Sequence, residues 1–165
     1  MFFGIPIASF VFVHTLITLV AIVSGLVMLS GMLSGGRRSS ATHTVFLLFS
    51  VLTAITGFMI QVKPVTPAVI LGVLLSVLLI IALAARYLFG LRGAWRSIYV
   101  VTTVAALYFN CFVLVVQSFQ KVPALHALAP GVPPGGPVFG ATQGVVLIAF
   151  VVAGFLAVRR FRPSY

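Results

Sequence analysis

SIYVVTTVAALYFNCFVLVVQSFQ, residues 97–120, is apolar over a length that crosses a bilayer as one helix. It also carries a polar line of Tyr99, Thr103, Asn110 and Gln117, with Ala106 between them. Thr103, Asn110 and Gln117 recur every seven residues and share one helix face. Lipid offers such groups no hydrogen-bond partners, so that face is expected to meet other helices. The stretch therefore predicts a central helix in a membrane bundle.

The rest of the chain agrees. Of its 165 residues, 62% are hydrophobic and 6% charged, and mean hydropathy is +1.29. Too little polar material is present to coat a soluble domain, so the bilayer is the expected solvent. Four further spans are predicted at 8–33, 44–60, 68–89 and 139–158. The expected fold is all-α: one bundle of five transmembrane helices over residues 1–165. Small residues four apart mark candidate close contacts at Ala21/Gly25, Thr53/Gly57, Gly72/Ser76 and Gly140/Gly144. No convincing internal repeat is seen, so an inverted-repeat transporter is not indicated.

Charge gives the expected topology. Ten Lys and Arg stand against no Asp or Glu. Arg37, Arg38, Arg86, Arg92, Arg96, Arg159, Arg160 and Arg162 fall on one side, and Lys63 and Lys121 on the other. The positive-inside rule then places the N-terminus outside and the C-terminus in the cytoplasm. Short loops account for the positive charge, so nucleic acid is not an expected partner. Tyr87, Trp95 and Tyr99 also suit an aromatic belt at the cytoplasmic boundary. The start MFFGIPIASF has no basic residue, so no cleavable signal is expected.

The missing carboxylates exclude several chemistries built from this chain alone. These are paired-carboxylate catalysis, Asp/Glu proton relays, carboxylate-rich cation sites and a Ser/His/Asp triad. Phosphate-binding Gly-rich loops, GxSxG elbows and HExxH motifs are absent. Cys111 is the single cysteine, so no intrachain disulfide can form, and it reads as a small buried hydrophobe.

A few polar residues remain as candidates. His14 lies about two turns into the first span, on a face with Thr18, Ala21 and Gly25. An ionisable residue at that depth can be a haem or metal ligand, a proton acceptor, or a hydrogen bond that locks helices. His126 lies on the same side and can converge with it, whereas His43 enters span two from the opposite side. Gln61, Gln117 and Gln143 fall in the external half and, with His14, either line an outward-facing polar pocket or serve as separate interface residues. Asn110, near mid-membrane, either sets packing register or contacts a substrate. The loop 121–138, KVPALHALAPGVPPGGPV, has five prolines and three glycines. It is expected to be extended or turned, as a stiff tether or as a lid or docking loop.

The segments GAWRSIYVVTTVAALYFNCFVLVVQSFQKVPALHALAP (93–130) and GVVLIAFVVAGFLAVRRFRP (144–163) resemble a family of small, uncharacterised proteobacterial inner-membrane proteins. VLTAITGF (51–58) and VHTLITLVAIVSG (13–25) fit the same pattern, and KVPALHALAP is its most specific part. The resemblance implies a bacterial inner-membrane address and a topology, and no activity. The chain departs from the pattern at Val69, where relatives often carry a histidine. It departs again in GVPPGGPVF (131–139), where they tend to carry an acidic residue.

Three functional classes follow. The first is a non-enzymatic accessory or self-assembling membrane component, in contact with lipid and with a membrane-protein partner or further copies of itself. The second is a haem- or metal-binding redox subunit using His14, with His126 as a possible partner; no cofactor is expected under the first class. The third is a small permease or channel with a polar path along the fourth span.

Overall fold

The computed structural model describes residues 6–35, 40–60 and 66–162. Among them are five helices long and apolar enough to cross a membrane. These are α1 (Ile7–Leu33), α2 (Ser40–Ile60), α3 (Pro67–Leu83), α4 (Ala94–Lys121) and α6 (Pro137–Arg160). A π-helical turn, Ala84–Leu88, extends α3 to 22 residues. A six-residue helix, α5 (Pro123–Leu128), follows α4.

Proline and glycine set the boundaries. Pro67, Pro123 and Pro137 each stand in the first turn of their helix. There the missing N–H costs nothing and the fixed φ favours entry. The Thr66 side chain caps α3 by accepting from the Val69 N–H at 3.3 Å. Gly93 (φ 54) precedes α4 and Gly136 (φ 89) precedes α6, both in the left-handed region. The loop at 121–138 thus differs from the expected extended tether. It opens with one helical turn and a half, because Pro123 starts a helix as readily as it stops one.

α4 sits in the middle. It packs against α1, α3, α5 and α6, while α2 touches α1 and α3. Tyr99, Val100, Thr103, Ala106 and Leu107 of α4 are fully buried. Around them lie Met28 and Met32 of α1, Phe46 and Leu47 of α2, and Leu79 and Ala82 of α3. Gly25 makes the tightest crossing: a Cβ built there would lie 2.5 Å from Leu107 and 2.8 Å from Phe46. Of the four small-residue pairs expected, Ala21/Gly25 is therefore a close helix contact, and Gly72/Ser76 is a second, since a Cβ at Gly72 would lie 3.2 Å from the Phe58 ring of α2. Around Gly140 and Gly144 a Cβ would meet nothing within 4 Å. α6 is the most peripheral span, with 11% of its apolar window buried against 44% for α4. Its outer residues Val145, Ile148 and Val151, like Val23 and Ile80, present apolar surface to the bilayer.

Two expectations for α4 need correction. Gln117 is exposed, although Thr103 and Asn110 on the same heptad face are buried. Near this end the cover comes from α5 and α6, against a different face: Phe119 is buried and its ring meets Phe139 at 5.5 Å. Tyr99 is fully buried and does not belong to a boundary belt. Tyr87 is 58% exposed, and Trp95 is half-buried and stacks on Phe89 at 3.8 Å.

Candidate functional site

A buried polar pair joins α2 and α4 near the end of the bundle that carries Arg86. His43 and Tyr99 share a hydrogen bond of 2.9 Å between Nδ1 and the hydroxyl. Both side chains are buried. The His43 ring stacks on Tyr99 at 5.8 Å and on Phe161 at 5.7 Å, so it lies within an aromatic cage. The Arg86 guanidinium lies 5.5 Å from the Tyr87 ring centre and 5.9 Å from that of Tyr99. It donates to the Ser40 hydroxyl at 2.7 Å and the Ser40 carbonyl at 3.3 Å. Sequence reading missed this pair. His43 read as an isolated entrance residue, and no local spacing links it to a tyrosine 56 positions away.

His14 lies at the opposite end of α1 and α2. Its Nδ1 is 2.7 Å from the Thr56 hydroxyl. Thr56 Oγ1 also donates to the Leu52 carbonyl at 2.7 Å. A hydroxyl has one proton, so with that proton on Leu52 the imidazole Nδ1–H donates to Thr56. Nε2 then carries the lone pair and is the ring nitrogen that could ligate a metal or haem iron.

The other predicted residues are dispersed. Asn110 Nδ2 donates to Ser50 Oγ at 3.5 Å, a long bond between α4 and α2. Gln143 is buried, and its Nε2 donates to the Phe112 carbonyl at 3.2 Å, linking α6 to α4. Gln143 Oε1 is buried without a hydrogen-bond partner. The His126 ring caps the backbone of α4 through Nδ1 and the Phe119 carbonyl at 3.2 Å. Gln117 is exposed, and Gln61 lies outside the described residues.

No hydrogen bond joins any two of these predicted pocket residues among the described residues. His14 sits between α1 and α2, whereas His126 and Gln143 belong to the α4, α5 and α6 side. No group of three or more His, Cys, Asp or Glu comes together among the described residues.

Four of the polar side chains hold two helices together. His14 ties α1 to α2, His43 and Asn110 tie α2 to α4, and Gln143 ties α6 to α4. Arg96 of α4 donates to the Val158 carbonyl at 3.0 Å and to the Phe161 carbonyl, fastening the end of α6. Bonds of this kind are favoured in lipid because no water competes for the partners.

No family model, curated protein or solved structure matches this chain.

Proposed function

We propose that this chain is a non-enzymatic, multi-pass protein of the bacterial inner membrane that serves as an accessory or self-assembling component. One observation carries the reading: four polar contacts with a buried or half-buried side chain bridge one span to another, while Thr53, Thr102 and Thr103 bond within their own helices. His14–Thr56, His43–Tyr99, Asn110–Ser50 and Gln143–Phe112 each bridge two spans. That is the chemistry of a rigid scaffold. The partner is a membrane protein or a further copy of the chain, reached through the apolar faces of the outer helices. The charge asymmetry supports an outside N-terminus and a cytoplasmic C-terminus. The resemblance to small proteobacterial membrane proteins supports the inner-membrane address.

The test is capture of the tagged chain in lipid nanodiscs after mild solubilisation, with mass measured by light scattering. A stoichiometric membrane partner or a discrete oligomer is expected. A monomer that reconstitutes solute flux would overturn the reading, and would favour the polar path along α4.

A second reading makes His14 a haem or metal ligand at Nε2, which is free when Thr56 donates to Leu52 and accepts from Nδ1–H. Oxidised and reduced absorption spectra, with metal analysis on protein from cells supplied with haem and metals, decide it. A stoichiometric signal lost on His14→Ala would put the redox reading first.

A further inference from the structure

α1 and α6 finish side by side at the end of the bundle that carries Arg86 and Trp95. Between them lies a cleft of about 440 Å³ lined by Leu33, Ser34, Gly35, Arg159, Arg160 and Arg162. As topology signals these arginines need only be charged. Their placement is more constrained than that.

Phe161 is buried at 4% exposure and its ring packs on His43 and Tyr99. Its backbone is extended (φ −64, ψ 117). Phe161 is thus anchored inward, while Arg160, the last residue of α6, and Arg162 beyond it are both exposed. The Arg159 guanidinium is held over the Phe155 ring at 4.4 Å.

Two helix C-termini meet here, and each brings about half a negative charge that would repel an anion. Arg96 answers the α6 end by donating to the Val158 and Phe161 carbonyls. The three cleft arginines are therefore surplus to that need, and their full charges outweigh the α1 end. The chain has no Asp or Glu, so no side-chain carboxylate of its own can neutralise them. The cleft also lies at the C-terminal ends of two helices long and apolar enough to cross a membrane, and such ends are expected to fall near the headgroups.

We propose that this cleft binds the phosphate of an anionic phospholipid headgroup, held by Arg159, Arg160 and Arg162. Guanidinium forks match phosphate oxygens in geometry and charge. A free phosphate ion has the same binding chemistry, and depth is what assigns the lipid.

The experiment titrates the purified full chain in neutral detergent with phosphatidylglycerol, phosphatidylcholine or inorganic phosphate. Retained lipid is read by native mass spectrometry and protection by the thermal unfolding midpoint. Phosphatidylglycerol is expected to bind at least about tenfold more tightly than phosphatidylcholine, a comparison that needs no variant. An arginine beside an anionic headgroup contributes about fivefold in affinity, so Arg160→Gln and Arg162→Gln should each cost about that factor. Arg92→Gln, a charge at the same end outside the cleft, should leave binding unchanged. Equal retention of the two lipids would overturn the proposal, as would an equal loss on Arg92→Gln or unchanged binding in both cleft variants. Protection by inorganic phosphate alone, with no further gain from phosphatidylglycerol, would overturn the lipid assignment.

Discussion

The hydroxyl of Tyr99 lies 2.9 Å from Nδ1 of His43, across 56 residues of sequence and between two helices that otherwise touch little. The pair is the polar centre of an aromatic cage closed by Phe161, so the end of the last helix is registered against the second and fourth. Removing the hydroxyl and removing the ring should therefore have different costs.

Tyr99→Phe keeps the packing and deletes one hydrogen bond, a loss of about 0.6–1.7 kcal/mol in a membrane setting. Tyr99→Ala leaves a cavity at a fully buried position and should cost about 3–5 kcal/mol. Unfolding in mixed micelles by titrated dodecyl sulfate would rank the two. Equal costs would mean that the hydroxyl, and not the ring, carries the contact.

Glycine substitutions should separate sharply. Gly25→Ala forces a methyl to within 2.5 Å of Leu107 and 2.8 Å of Phe46, and should destabilise by about 1–3 kcal/mol. Gly140→Ala and Gly144→Ala meet open space on a helix and should be neutral or stabilising by up to about 1 kcal/mol. The same detergent titration reads all three. A large loss at Gly144 would reveal a contact with a second molecule on that face.

The two buried amides should also behave differently. Gln143→Leu removes one bond to Phe112 and, with it, a buried oxygen that has no partner. The two effects oppose each other, and the net change should fall within about 1 kcal/mol of zero. Asn110→Leu loses a bond already 3.5 Å long, and should cost less than about 1 kcal/mol. If the proposed scaffold role holds, neither change alters solute flux in proteoliposomes. Altered flux at preserved stability in Asn110→Leu would place a path along α4.

Orientation has its own measurement. A reporter fused after Tyr165 should be active only in its cytoplasmic form. A C-terminal fusion active in the periplasm would reverse the topology drawn from the eight-to-two split of basic residues.

The candidate site was less legible than the spans. Thr103 and Asn110 could be placed on a buried face because helix period and lipid chemistry act locally. Gln117 shares that face by the same arithmetic, yet it is exposed because the neighbouring helices change near the end of α4. His14 could be flagged from depth alone, while Thr56, the group it meets, could not. His126 and Gln143 looked like pocket residues by their side of the membrane. In the structure they bond the backbone at Phe119 and Phe112.

By itself the sequence determined the solvent and the secondary structure. Runs of apolar residues longer than the hydrocarbon core can only satisfy their backbone as helices, and five such runs make five spans. It also determined what chemistry the chain lacks, since missing carboxylates cannot be supplied by folding. Only the tertiary structure decided which polar groups meet. His43 with Tyr99, Arg96 with the end of α6, and the end of α1 with the cleft arginines that follow α6 are pairings across long sequence separations. They depend on crossing positions such as Gly25 against Leu107 and Phe46, where side-chain shape and not local pattern sets how the helices lie.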